Sequence, residues 1–227
     1  MLAPKTMETT SADDGAESFG PRQTDVLQAA LALLVEGGDK GLTTARLARA
    51  ANCSKESLYK WFGDRNGLLE AMITYQASKV RIAALPRVKP SAEEFRHQLA
   101  GFASDLLTVL SGPTSLALNR LSIGEAGREG AQLGGLLIER GRRAIENRAM
   151  RLLDAGRDAG LIAFDNRDAA FNALYGLIVG DMHVRMLLGD AVPLIADASA
   201  LDTQAARAVD QFWRLYGVAE ETNPNTN

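Results

Sequence analysis

The stretch from Thr43 to Phe62 restricts the fold of this chain more than any other. Two short helices cross closely only where the first presents a small residue, and Ala48 supplies it. Asn52, four positions on, tolerates the left-handed backbone that a tight turn needs. Leu58, six further on, gives the second helix an apolar anchor, with Trp61 and Phe62 one turn later on the same face. This grammar reads as a helix-turn-helix from about Thr44 to Phe62. Cys53 acts as a small hydrophobe between the helices.

The rest of the chain carries helical periodicity, with no sustained strand alternation. Val26, Leu27, Ala30, Leu31 and Leu34 make an amphipathic first helix that Gly37 and Gly38 end. Thr43 and Thr44 offer caps for a second helix, Ser54 for a third over Lys55 to Phe62, and Asp64 for a fourth that turns Leu68, Leu69, Met72 and Ile73 inward. Pro86 and Pro90 mark a connection at Leu85–Pro90. Beyond it the pattern predicts helices at 91–110, 114–126, 132–159, 167–188 and 202–216. Breaks fall at Gly112–Pro113, Gly127–Gly130, Gly160–Asn166 and Gly189–Pro193. The expected architecture is all-α with about nine helices: a disordered leader (1–20), a three-helix head (21–69), a larger helical body (70–217) and a flexible tail (218–227).

Composition excludes several classes. At 46% hydrophobic and 23% charged the chain is an ordinary globular one. A net charge of -3 rules out a broadly basic nucleic-acid coat. One cysteine and two distant histidines, His97 and His183, make neither a disulfide nor a metal cluster. No Gly-rich phosphate loop or nucleophile–base motif supports an enzyme, and Glu125 and Glu129 read as solvated loop acids. No metal, cofactor or membrane span is expected, and the leader lacks the apolar core of a secretory signal, which implies a cytoplasmic protein.

Charge is nevertheless concentrated. Between Lys40 and Arg65 stand Lys40, Arg46, Arg49, Lys55, Lys60 and Arg65 against Glu56 and Asp64, six positive to two negative. With the apolar residues inward, Lys55, Glu56, Ser57, Tyr59 and Lys60 face outward. Lys60 suits a base or a phosphate, Ser57 either, and the Tyr59 phenol a phosphate oxygen. The remaining alternatives are a solvated basic face, or a head that meets another protein.

The run from Leu42 to Leu69, with its Thr-Thr helix start, Ala-Asn-Cys-Ser turn, Ser-Lys-Glu-Ser-Leu-Tyr-Lys-Trp-Phe recognition helix and following Asn-Gly-Leu-Leu, resembles the TetR family of bacterial regulators. Its Ser-Lys-Glu-Ser-Leu-Tyr-Lys-Trp-Phe-Gly-Asp pattern is similar to the AefR-like branch. The resemblance implies phosphate contacts near Thr44, Tyr59 and Arg65, base or backbone contacts from Ser54, Lys55, Glu56, Ser57 and Lys60, and DNA contact also for Thr43 and Arg46. Asn52-Cys53 departs from the usual Gly-Val. Glu56 stands where a small residue is common, and either reads a cytosine amine or repels phosphate.

For the body the resemblance implies a homodimer whose two heads read a palindromic double-stranded operator, and a pocket for a small organic effector. It implies a repressor released by that ligand, at the nucleoid of a bacterial cytoplasm; the residues equally allow an activator. Phe95, Phe102, Leu106, Leu116, Tyr175 and Met182 are candidates to line the pocket. Gly176, Gly180, His183, Val209, Phe212, Trp213 and Tyr216 are candidates for the dimer interface, with an intramolecular core as the alternative. Asp181 and Arg185, at i,i+4, are expected to form a structural ion pair.

Overall fold

The computed structural model describes residues 19–82, 89–127, 132–190 and 198–218. The leader, the Leu85–Pro90 connection, Glu129 and the tail beyond Val218 lie outside the described residues, wholly or in large part. Ten helices and no β-strand are present among the described residues. They are α1 (Pro21–Gly41), α2 (Thr44–Ala50), α3 (Lys55–Phe62), α4 (Arg65–Ala77), α5 (Ala92–Ser111), α6 (Pro113–Glu125), a long α7, then α8 (Arg167–Val179), α9 (Met182–Leu187) and α10 (Ala198–Tyr216). Helix α7 is continuous but irregular. It runs Leu133–Leu136 as α-helix, Leu137–Arg142 as a π-helical turn, and Arg143–Asp158 as α-helix.

Local chemistry sets most of these ends. Pro21 opens α1, and the Gln23 side chain takes the Gly20 N–H at 2.8 Å. Gly38, at φ 57°, breaks α1 where the sequence predicts its end. Ser91 and Glu94 close a reciprocal capping box on α5. The predicted helix at 167–188 is in fact two. Gly180 takes φ 51°, ψ −133°, a conformation open mainly to glycine, so α8 stops there and α9 starts on a new axis. Gly176 and Gly180 therefore do not share one helical face.

Two apolar cores form. The head core gathers Val26, Leu27, Leu34, Leu47, Leu58 and Phe62 with α4 residues Leu69, Met72 and Ile73, and is completed by Leu118 of α6 and Leu133 of α7. The body core is built on Phe95, Phe102, Phe171 and Phe212, each no more than 2% exposed. Helix α10 packs on α5 and α8. Its far end is held by the Ala163 N–H donating to Tyr216 O at 2.8 Å and the Val218 N–H donating to Leu161 O at 2.9 Å. The division predicted at 69/70 falls inside α4, which supplies Met72 and Ile73 to the head core and Ala77 to the body core.

At its C-terminal end α4 is anchored by a buried arginine. Arg148 of α7 donates to the Ala77 carbonyl at 2.8 Å. That carbonyl belongs to the last turn, where helix carbonyls lack intrahelical donors and the dipole favours a cation.

Phe95 packs closely against Gly156, where an added Cβ would stand 2.2 Å from Phe95 Cζ. Gly156→Val is therefore expected to destabilise the protein by about 1–3 kcal/mol through overpacking, seen as a lowered thermal midpoint. An unchanged midpoint would contradict this packing.

Candidate nucleic-acid interface

Helices α2 and α3 are assembled by short-range hydrogen bonds. Thr43 caps α2, its Oγ1 accepting the Arg46 N–H at 3.3 Å. In the turn, Asn52 takes φ 49°, the sole positive φ outside glycine among the described residues, and the Cys53 N–H closes back onto Ala48 O at 2.9 Å. Ser54 caps α3 by accepting the Ser57 N–H at 3.1 Å. Gly63, at φ 72°, ends α3 with its N–H on Tyr59 O, and Asp64 then caps α4 through the Gly67 N–H at 2.9 Å. Leu47, Leu58 and Phe62 are buried beneath, while Trp61 is half-buried.

Thr43, Thr44, Arg46, Ser54, Lys55, Glu56, Tyr59, Lys60 and Arg65 are exposed, and Ser57 is half-buried. Tyr59 stands 57% exposed, so its ring is open to a partner. Some of these groups already have intramolecular tasks. The Ser54 hydroxyl is occupied as a cap and lies 3.1 Å from Ser57 Oγ. Hydrogen bonds from its own backbone N–H and from Ser54, with Lys55 nearby, hold the Glu56 carboxyl below the usual carboxylate range, so it stays ionised at neutral pH.

The basic island is also more internally paired than its local sequence implies. Arg46 lies 3.8 Å from Glu36, and Arg65 pairs with Asp39 and reaches Leu42 O at 3.4 Å. Both acids sit at the C-terminal end of α1, outside the Lys40–Arg65 window. Exposed pairs of this kind contribute only about 0–1 kcal/mol, so a phosphate can replace either acid.

One residue of the head escapes sequence reading altogether. Arg22, on the first turn of α1, donates from Nη2 to Ala51 O at 3.2 Å and to Asn52 O at 3.1 Å. It satisfies the two carbonyls of the turn and ties α1 to the helix-turn-helix. Asp25 stands 3.5 Å away and orients the guanidinium. No local pattern signals a contact across about thirty residues of sequence.

Behind the head lies a cavity of about 230 Å³. Its walls come from α4 (Ile73, Gln76, Ala77), α5, α6, the π turn of α7, Tyr175 and His183. Of the predicted pocket residues, Leu106 and Tyr175 line it. Phe95, Phe102 and Met182 instead fill the body core, Phe95 against Gly156 of α7 and near Trp213 of α10, and Leu116 packs against that core.

Of the predicted interface residues, Gly176 and Gly180 are exposed, while those on α10 are engaged within the protomer. Val209 and Phe212 are buried at 3% and 0% exposure, Tyr216 stacks on Phe212 at 4.7 Å, and Trp213 lies 6.4 Å from the Phe95 ring. The apolar stripe of α10 is consumed by α5 and α8. His183 lines the cavity, its Nδ1 3.1 Å from Leu110 O; burial pushes its pKa down, so the ring is neutral and Nδ1–H is the donor to that carbonyl. Arg185 bonds Asp190 at 2.6 Å rather than Asp181. His97 is exposed, and no cluster of three metal-ligating side chains exists among the described residues.

Comparison with known proteins gives this arrangement its family. Residues 26–72 match the family described as bacterial regulatory proteins, tetR family. Residues 97–218 match the AefR-like transcriptional repressor, C-terminal domain. The chain belongs to the TetR family of transcriptional regulators, of the AefR-like kind. A TetR transcriptional regulator from Agrobacterium tumefaciens of known crystal structure is 56% identical over 88% of this chain and 96% of its own, with a TM-score of 0.75. A TetR family regulator from Pseudomonas syringae pv. tomato str. DC3000 shares the fold at 19% identity and a TM-score of 0.61, over 89% of this chain and all of that one. Among curated proteins, the uncharacterised HTH-type regulator YvkB of Bacillus subtilis (strain 168) is 34% identical over 58 residues, 26% of this chain. The match spans 31% of YvkB. This TetR regulator is thus a helix-turn-helix DNA-binding protein, and no helix among its described residues is long and apolar enough to cross a membrane.

Two substitutions test the turn. Asn52→Val should cost about 1–2 kcal/mol because a β-branched residue resists the left-handed region, while Asn52→Gly is tolerated; equal urea midpoints for the two would refute the role given to Asn52. Arg22→Met should lower stability by about 1 kcal/mol and speed amide exchange at Cys53, whereas unchanged exchange there would show that Arg22 does not brace the turn.

Proposed function

We propose that the protein is a homodimeric repressor that binds a palindromic operator and is released by a small organic ligand, acting at the nucleoid of a bacterial cytoplasm. The observation that carries this reading is the shared use of α4. The helix that follows the recognition helix also forms one wall of the cavity, through Ile73, Gln76 and Ala77. A ligand that favours one position of α4 changes the placement of α3 in each protomer, and thereby the separation of the two heads. Dimeric helix-turn-helix proteins need that separation to match successive major grooves. Operator affinity falls by as much as the ligand prefers the mismatched state.

At the DNA, Lys55, Tyr59 and Lys60 project from α3, with Lys60 in its last turn. Thr43, Thr44, Arg46 and Arg65 flank it as phosphate contacts. Ser54, Glu56 and Ser57 set the N-terminal turn of α3 and reach DNA only at its edge. For the dimer, outward residues include Gly176 on α8, Val184 on α9, Leu188 just after it, and Leu215 on α10, the last three at 58%, 83% and 66% exposure. Large apolar side chains so exposed favour burial against a second copy.

Footprinting on promoter DNA should protect two symmetric half-sites. Protection of a single asymmetric site, or none, sinks the dimeric reading. Lys60→Ala should weaken operator binding by about 1–3 kcal/mol if it reads a base, and should weaken all duplexes alike, with a shallower salt dependence, if it meets phosphate. No effect on either would remove Lys60 from the interface.

A further inference from the structure

The charges around the cavity specify what it takes. Of the residues that line it, one, Arg142, carries a charge, and no carboxylate is among them. The arginines beside it on α7 are engaged elsewhere: Arg140 pairs with Glu70 of α4, and Arg143 with Glu139 at 2.8 Å. Arg142 has no carboxylate partner among the described residues. Its guanidinium lies instead over the rings of Tyr175, at 4.7 Å, and Phe171, at 5.8 Å. It stands at the end of the π turn, an irregularity that often marks functional positions. The rest of the wall is apolar, apart from Ser115, Asn119, Gln76, the Tyr175 hydroxyl and the neutral His183.

We infer that the ligand is a small aromatic carboxylate, its ring against Leu106, Val109 and Ile145 and its carboxylate on Arg142. This rests on the reading of the cavity as the effector site. A cationic ligand would meet the like charge of Arg142 in a wall that offers no carboxylate, which is unfavourable. A carboxylate gains a planar donor pair that matches its own geometry. Size narrows the class further. A volume of about 230 Å³ lies below the roughly 300–1,000 Å³ typical of sites for drug-sized ligands. It suits one ring rather than a polycyclic drug or an extended acyl chain. His183, with Nδ1–H committed to Leu110 O, keeps Nε2 as an acceptor for a ring hydroxyl.

The test uses three near-isosteric probes on the full chain: benzoate, benzamide and benzylamine, with dissociation constants from ligand-observed NMR. Benzoate should bind about tenfold more tightly than benzamide, and benzylamine should be the weakest. Arg142→Met should abolish the preference for the acid and Arg142→Lys should retain part of it. Arg142 is exposed, so both variants are expected to keep the native melting midpoint. Benzamide or benzylamine equal to benzoate, an acid preference that survives Arg142→Met, or no binding of benzoate overturns the inference. Ile138→Trp, at the half-exposed cavity rim, separates this from failure of the cavity reading. Binding that is lost in Ile138→Trp lies in the cavity whatever its charge preference, whereas binding that persists lies elsewhere and sinks the effector-site reading itself.

Discussion

The structure depends on how α4 is held at both ends. In its first turn the Gly67 N–H is taken by Asp64, which follows the Gly63 turn that ends the recognition helix, and its last carbonyl by the buried Arg148 of the body. Between these ends Met72 and Ile73 are almost wholly buried. A carboxylate at its positive end, a guanidinium at its negative end and a buried middle tie this helix to both the head and the body. The guanidinium is costly to bury, and its bond to Ala77 O accounts for part of what makes that burial tolerable.

The distribution of charge explains why an acidic protein presents a DNA-binding face. Acids at the end of α1, Glu36 and Asp39, stand beside Arg46 and Arg65 and moderate the island without burying it. Since each exposed pair contributes little, the protein loses little on releasing those arginines to a phosphate. Along α7, Arg140 and Arg143 pair with Glu70 and Glu139 at similar exposure, whereas Arg142 rests on aromatic rings instead of a carboxylate.

Much of the head is legible in the sequence because its determinants are local. Thr43, Ser54 and Asp64 act on N–H groups three residues away, and Asn52 adopts its φ for reasons of its own side chain. The periodicity likewise places nearly all of the helices. It does not reveal which face of a helix meets which neighbour. Val209 and Phe212 form an apolar stripe whether they meet α5 and α8 or a second protomer, and periodicity does not distinguish these. Phe95 and Phe102 have the composition of pocket residues yet fill the core, while Gln76, Asn119 and Arg142, which line the cavity, look like surface residues in the sequence. Gly180 is ambiguous for a related reason: one glycine in an apolar run fits either a close helix contact or a break, and only its backbone angles decide.

The π turn at Leu137–Arg142 bears on how this helix can change over time. A π turn accommodates more residues than the α-helical turn it interrupts, so the residues before it are rotated relative to those after it, by about 100° for each extra residue. That offset lets neighbouring positions serve different surfaces, with Arg140 reaching α4 and Arg142 reaching Tyr175. Removing a single residue there would restore ordinary helix and turn one of these arginines away from its surface, even with every side chain kept. In this segment, drift in residue identity is a milder insult than a one-residue indel, and the length of the helix is itself part of its information.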